Sequence, residues 1–174
     1  MDRGGSLVGR GVSAAALPAH DLPVTRDDSA FAELYATELQ SQVRRAALLT
    51  GDSELAHDLV HDAFVELYRR WHTLDQPGAY LAVAVLNRCR DHGRRQSVAR
   101  RRLPLMADRH VPSTDHEFLL DALQQLPFNH RAALVLRYYH ALTEAEIAVQ
   151  LACRPGSVGP WISRGLKQLR KALT

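Results

Sequence analysis

The sequence has few of the residues that disulfide-rich, secreted and membrane proteins depend on. Its 174 residues include only two cysteines, Cys89 and Cys153, which lie far apart in the chain. This excludes a disulfide framework and suits a reducing compartment. No run approaches ~18 consecutive apolar residues, so no transmembrane helix is expected. Glycines interrupt the apolar stretch within residues 1–20, which makes it a poor signal peptide. We expect a soluble, cytoplasmic protein.

The sequence also lacks the common catalytic motifs, since it contains no GxSxG, no glycine-rich phosphate loop and no CxxC. One pattern, His57-Asp58-Leu59-Val60-His61, resembles the HExxH of zinc proteases, with Asp in place of Glu. A third ligand and a base of adequate reach are not evident, so an exposed helix face is favoured. A zinc-dependent hydrolase using His57 and His61 remains an alternative. We predict no enzymatic activity, no cofactor and no metal.

Lysine is nearly absent, and the charge is unevenly distributed. Only Lys167 and Lys171 among the 22 basic residues are lysines. Residues 52–66 hold five acidic residues and no basic one, whereas residues 88–102 hold seven arginines and a single aspartate. A basic block of this kind indicates contact with a polyanion, and arginine binds phosphate in a bidentate manner. A solvated basic linker is the alternative interpretation.

The hydrophobic pattern is helical throughout, without a convincing strand. Residues 1–28 lack periodicity and are predicted to form a disordered tail. Residues 29–96 contain apolar positions at spacings of three and four, which predicts a helical bundle. Residues 97–114 lose the periodicity and contain two prolines, which indicates a flexible linker. Residues 115–174 form a second helical unit, so the predicted fold class is all-α, with two small helical domains joined by the linker.

The strongest local signal is a helix-turn-helix pattern in residues 143–170. Thr143 and Glu146 have the spacing of a capping box, which opens a short helix. A turn of about four residues follows, and Ser157 is predicted to cap a second helix with polar outward positions. This arrangement predicts DNA binding, with an αα-hairpin that binds no DNA as the alternative.

Taken together, these features resemble the extracytoplasmic-function sigma factors of bacterial RNA polymerase. The segment DLVHDAFVELYRRW at 58–71 resembles their polymerase-binding helix, and PGAYLAVAVLNRCRDHGRR at 77–95 resembles their −10 element helix. Residues 119–173 resemble their C-terminal −35 domain. The resemblance covers residues 30–173 in the family's order. Residues 29–96 then correspond to the region 2 helical bundle and residues 115–174 to the region 4 helix-turn-helix.

The resemblance implies a function and a set of partners. The chain would direct the polymerase core to specific promoters, recognising the −35 element and melting the −10 element. The implied partners are the clamp and flap regions of the large polymerase subunits, promoter DNA and an anti-sigma protein, with no membrane insertion. A stand-alone helix-turn-helix regulator, which binds an operator as a dimer, is the remaining alternative.

Three sets of candidate residues follow from the outward helix faces and the resemblance. The set expected to bind the polymerase core comprises Leu55, Asp58, Leu59, Asp62, Ala63 and Glu66. The set expected to bind the −10 element comprises His72, Thr73, Asp75, Gln76, Tyr80, Asn87, Arg88, Asp91, Arg94 and Arg95. The set expected to bind the −35 element comprises Arg154, Ser157, Val158, Pro160, Trp161, Arg164 and Lys167.

The sequence departs from the family pattern in the second helix of the helix-turn-helix motif. Gly159 stands where the family usually has a basic residue, and Pro160 follows it. Proline is tolerated in the first helical turn because those N–H groups have no intrahelical partner. The missing charge is expected to weaken or redirect contacts with the −35 element.

Overall fold

The computed structural model describes residues 26–102 and 115–173, with the side chains of residues 28–97 and 118–173. The tail predicted for residues 1–28 and the linker predicted for residues 97–114 lie largely outside this part of the chain. The helices in the described ranges are α1 (Arg26–Thr50), α2 (Ser53–Arg69), α3 (Pro77–Arg102), α4 (Asp115–Gln124), α5 (Phe128–Tyr138), α6 (Glu144–Leu151) and α7 (Val158–Ala172). Short 3-10 turns precede α3 and α7, at Trp71–Thr73 and Pro155–Ser157. These ranges contain no strand, and the all-α fold class is confirmed.

Capping residues set several helix ends, including the start of α6, where the sequence predicts a capping box. Gly51 has a φ of +78°, the left-handed conformation that ends α1. Asp52 Oδ1 then accepts a hydrogen bond from the Leu55 backbone N–H at 3.0 Å and caps α2. At the start of α6, Thr143 and Glu146 form both hydrogen bonds of a capping box. Such caps contribute about 1 kcal/mol each.

Two predicted helix boundaries and one predicted side-chain cap differ from the structure. The first helix already begins at Arg26, inside the predicted tail. Helix α3 continues to Arg102, because residues 96–102 contain neither proline nor glycine. Ser157 has helical dihedral angles and makes no side-chain capping bond. It ends a 3-10 turn that leads directly into α7, so the prediction that its side chain caps this helix is wrong.

Helices α1, α2 and α3 form the N-terminal bundle. Val60, Leu81 and Val85 are fully buried at its centre. At one end, the Phe31 ring lies perpendicular to the Trp71 ring, with 5.2 Å between centroids. Trp71 is therefore a packing residue that holds the start of the loop before α3.

Helices α4 to α7 form the C-terminal bundle. Leu136, Ile147 and Val158 are buried in it. A Cβ added to Gly165 of α7 would lie 2.9 Å from Leu134 Cδ1. Glycine at this position therefore allows α7 to approach α5 closely.

The two bundles pack against each other, and the larger of two apolar clusters runs through both of them. Helix α1 contacts α4 and α5, while α3 contacts α6. The Gln124 side chain donates to the Leu48 carbonyl at 3.1 Å, and Arg90 Nη2 donates to the Leu151 carbonyl at 3.3 Å. No helix in the described ranges is both long and apolar enough to cross a membrane.

Acid is expected to destabilise the folded chain through His140. Burial and the positive charge of Arg45 lower the pKa of His140 to about 4, whereas an unfolded histidine titrates near ~6.5. Between these values the unfolded chain binds more protons, so stability falls as the pH decreases from about 6.5 towards 4. The thermal unfolding midpoint should therefore drop between pH 7 and pH 5. His140→Gln should flatten this pH dependence, whereas His57→Gln, on an exposed face, should retain it.

Candidate functional site

The outer face of α2 carries an acidic surface formed by Asp58 and Asp62. Both side chains are exposed and lie one helical turn apart, and no described residue forms an ion pair with either of them. Leu55 and Leu59 are half-buried beside them. Ala63, from the same predicted set, is fully buried in the core and so lies beneath this surface, not on it.

Glu66 is not part of the open acidic surface. Its carboxylate accepts hydrogen bonds from the Tyr80 hydroxyl at 2.6 Å and from Arg88 Nη2 at 2.7 Å. It also pairs with Arg70 at 3.3 Å. These contacts, led by the Tyr80 hydrogen bond, lower the pKa of Glu66. Glu66 therefore stays ionised and ties α2 to α3, and the acidic surface consists of two carboxylates instead of three.

An open cleft of about 490 Å³ lies between α2 and α3. It brings Asp62, from the set predicted to bind polymerase, next to Asn87, Asp91 and Arg95, from the set predicted to bind the −10 element. Arg88 lines the same cleft and also donates to the Asp62 carbonyl at 3.2 Å. Because Arg88 already holds these intramolecular contacts, its primary role in this structure is to join the two helices.

The loop before α3 presents the polar side chains predicted to contact the −10 element. His72, Asp75 and Gln76 are exposed. Thr73 is exposed as well, but its hydroxyl donates to the Arg70 carbonyl at 2.9 Å. Tyr80, one turn into α3, is half-buried, with the Arg70 guanidinium 5.7 Å from its ring centroid. Loop and helix thus form one continuous polar surface, and Arg94 extends it along α3.

The helix-turn-helix consists of α6, a turn and α7. Ala152, with a φ of 50°, ends α6 in the left-handed conformation. Most of the predicted −35 residues reach the surface: Ser157 and Trp161 are half-buried, and the exposed residues are Arg154, Pro160, Arg164 and Lys167. Val158, from the same predicted set, is fully buried in the core, where it packs α7 onto the rest of the bundle, and does not reach the surface.

An acidic side chain lies beside the first turn of α7. A Cβ built on Gly159 would be 3.1 Å from the Glu144 carboxylate. At the position where the family usually has a basic residue, this chain therefore places a neighbouring negative charge. Phosphate binding at this point is disfavoured electrostatically.

Sequence reasoning missed the role of Arg90. Its Nη1 donates to Asn87 Oδ1 at 3.1 Å, and its guanidinium lies 5.6 Å from the centroid of the Phe128 ring. Together with its bond to the Leu151 carbonyl, these contacts connect α3 to the C-terminal bundle. The periodicity of α3 correctly places Arg90 outside the buried apolar face of this helix. It gives no indication that Arg90 contacts the C-terminal bundle.

The geometry does not support the zinc alternative. His57 and His61 lie on an exposed face, and His61 Nε2 is 3.1 Å from the Tyr35 hydroxyl. Within residues 28–97 and 118–173, no group of three His, Cys, Asp or Glu side chains is arranged to hold a metal ion. Two histidines without a third ligand do not make a zinc site.

Comparison with known proteins agrees with this arrangement. Residues 34–99 match the family model for sigma-70 region 2, and residues 117–169 match the model for sigma-70 region 4. The RNA polymerase sigma-E factor of Streptomyces coelicolor is 29% identical over 151 residues, which cover 82% of this chain and 85% of that protein. The sigma-E factor of Streptomyces avermitilis is 27% identical over 151 residues, which cover 82% of this chain and 84% of that protein.

Two of the solved structures that share the fold are complexes with a second protein. One is the sigma factor RpoE of Bartonella quintana, crystallised with the anti-sigma factor NepR, with a TM-score of 0.69, 18% identity, and coverage of 83% of this chain and 97% of that chain. The other is CnrH in complex with the cytosolic domain of CnrY, with a TM-score of 0.61 and 22% identity. This match covers 83% of this chain and 88% of that chain. The chain belongs to the sigma-70 family, as an extracytoplasmic-function sigma factor. It directs RNA polymerase to promoters and is not an enzyme.

Proposed function

We propose that the two bundles divide promoter recognition between them. The Asp58–Asp62 surface of α2 docks on the polymerase clamp, and the loop at residues 72–76 with α3 opens and holds the −10 element. The exposed side of α7 reads the −35 element in the major groove. The observation that carries this proposal is the cleft between α2 and α3, because it places the acidic surface directly beside Asn87 and Arg95.

Transcription in vitro tests this proposal. The purified chain is incubated with polymerase core and genomic DNA fragments, and transcript start sites are mapped. We expect transcripts that neither core alone nor the chain alone produces, each starting downstream of a shared pair of sequence elements. A stand-alone regulator would instead bind duplex DNA without polymerase and would start no transcripts.

The C-terminal bundle offers a second protein-binding surface. A groove of about 390 Å³ runs between α4, α5 and α7 and is also lined by Leu48 of α1. Its lining is almost wholly apolar and includes the side chains of Leu119, Tyr138 and Leu166. These three side chains are exposed, and exposed apolar grooves of this kind mark protein-binding sites. We propose that the flap region of polymerase occupies this groove.

An anti-sigma protein is proposed as the regulator of this chain. The RpoE structure described above is a complex of a sigma factor with the anti-sigma factor NepR, and CnrH is likewise bound to a second protein, the cytosolic domain of CnrY. Such a protein would compete with polymerase for the acidic surface or for the apolar groove. Because polymerase and promoters are cytoplasmic, the proposed location is the cytoplasm.

Lys167 is expected to contribute phosphate contacts without sequence preference. It is exposed one turn beyond Arg164 on α7. Lys167→Ala should weaken binding to all −35 variants alike and lower the slope of log affinity against log salt by roughly one unit. Titrations of several −35 duplexes at different salt concentrations measure both effects. A change in preference among the duplexes would contradict this role. Gln125→Ala, at an exposed position between α4 and α5, serves as the control.

A further inference from the structure

The helix-turn-helix carries an acidic side chain that makes no bond to any other described residue. Residues 143–173 include two acidic residues, Glu144 and Glu146. The Glu146 carboxylate is occupied, because it accepts hydrogen bonds from the Thr143 backbone N–H at 2.8 Å and from the Thr143 hydroxyl at 2.7 Å. Glu144 is exposed, and no described residue hydrogen-bonds or pairs with its carboxylate. Both of its oxygens are therefore free to accept hydrogen bonds from a ligand.

The Glu144 carboxylate lies where the side chain of a larger residue at position 159 would be. A Cβ built on Gly159 would be 3.1 Å from Oε2 of Glu144, 3.4 Å from Oε1 and 3.6 Å from Cδ. The whole carboxylate thus covers the glycine. Any side chain at this position would have to displace the Glu144 carboxylate, so the glycine and the glutamate form one structural unit.

Two helix starts favour this position of the carboxylate. Glu144 is the first residue of α6, and Gly159 is the second residue of α7. The positive ends of both helix dipoles therefore lie close to the negative charge, which is a favourable arrangement. The first turn of α7 contains no acidic residue of its own, and Glu144 supplies this charge from α6. The dipoles favour the carboxylate without occupying its oxygens as a hydrogen-bonding side chain would.

The start of α7 is the part of the motif where base contacts are expected. In helix-turn-helix proteins the N-terminal residues of the second helix contact base edges in the major groove. A carboxylate there only accepts hydrogen bonds, and it repels phosphate. Cytosine presents an amino donor in the major groove without a neighbouring acceptor, whereas adenine adds the N7 acceptor, and guanine and thymine present acceptors only. Cytosine N4 is therefore the best-matched partner for this carboxylate.

We propose that Glu144 is a specificity-determining residue, which selects cytosine at one position of the −35 element, and that Gly159 makes room for its carboxylate. This inference rests on the proposed reading of the −35 element by α7. The basic residue that the family usually has at position 159 would instead select guanine or bind phosphate. At this point the chain reads a base with a side chain from the first helix of the motif.

Two substitutions of Glu144 test the base preference in the holoenzyme, assembled from polymerase core and the full-length chain. A promoter found by the transcription experiment above is randomised in its −35 element, and a barcode in each transcribed region reports the −35 sequence. The parent should favour cytosine at one position on one strand. Glu144→Ala should reduce this preference about tenfold. Glu144→Gln should shift it to adenine, because an amide pairs with adenine N6 and N7.

Control variants separate base reading from structural effects. Glu33→Gln removes an exposed carboxylate from α1 and should leave the preference unchanged. Gly159→Ala places a methyl group against Glu144 Oε2 and should weaken the cytosine preference, by a smaller factor than Glu144→Ala. Its matched control is Gly156→Ala, because a Cβ added to Gly156 would have no heavy atom within 4 Å. If Glu144 only stabilised the helices, its loss would lower the unfolding temperature and the transcription of all library members alike, without changing the ranking of bases.

The proposal is overturned if both Glu144 variants rank the bases at every −35 position as the parent does, or if the parent favours cytosine at no position on either strand. Thermal unfolding checks that each variant folds, and if Glu144→Ala does not fold, Glu144→Gln decides. A parent without any preference in the −35 element would instead refute the proposed reading by α7, and the role of Glu144 with it. A preference that persists in both variants would refute the role of Glu144 alone.

Discussion

Replacing both Asp58 and Asp62 by arginine is expected to lower the affinity for the polymerase core by about a hundredfold or more. Both carboxylates are exposed and lie one turn apart on α2, so the double reversal places two positive charges where a basic partner surface is proposed. Like charges across an interface cost several kcal/mol, and each 1.4 kcal/mol is a factor of ten in affinity. The fold should be unaffected, because surface substitutions usually change stability by less than about 0.5 kcal/mol.

Co-purification with core and a binding titration measure this effect, with thermal unfolding as the test of the fold. The matched control is Glu33→Arg with Asp121→Arg, which changes the net charge equally at exposed positions outside the acidic surface. The control should bind core normally. Unchanged binding of the Asp58/Asp62 variant would remove the acidic surface from the proposed polymerase interface.

Changes at Asn87 or in the loop at residues 73–76 are expected to reduce promoter opening by about tenfold or more while sparing core and −35 binding. Unstacking a base costs a few kcal/mol, and contacts to the extruded base must offset this cost. The Asn87 amide is exposed on α3 and can both donate to and accept from a base edge. Asp75 and Gln76 present similar groups from the loop.

Permanganate footprinting of unpaired thymines on a linear promoter measures the opening. Asn87→Ala should decrease the reactive thymines, and replacing residues 73–76 by glycine and serine should also change which −10 bases are accepted. The control Gln40→Ala removes an exposed amide from α1 and should open the promoter like the parent. If both variants opened the duplex with unchanged −10 preference, Asn87 and the loop would be structural.

Glu66 and Arg88 illustrate where site prediction from the sequence fails. Helical periodicity correctly places Glu66 in register with Asp58 and Asp62, and Arg88 away from the most buried stripe of α3. Periodicity describes one helix at a time, however. The 2.7 Å contact between Glu66 and Arg88 forms only because α2 and α3 pack side by side. Both residues are therefore engaged inside the bundle, which no spacing along the chain could indicate.

The burial of a residue at a contact between helices also cannot be predicted from the periodicity of one helix. Ala63 and Val158 border surfaces that the family resemblance assigns to partners, yet both are fully buried. Small or branched apolar residues near the edge of a helical stripe can face either a partner or the core. The crossing of the helices decides between the two, and the crossing is a property of the packed fold.

The sequence by itself determined the helices, the capping box at Thr143, the helix-turn-helix and the family, because these depend on contacts or motifs within a few turns of the chain. Only the tertiary structure decided that the two bundles share one core and that Arg45 is buried against Gln150, 105 residues away. Contacts at that separation depend on how complete bundles fit together. They are long-range packing interactions, and a local hydrophobic pattern does not encode their geometry.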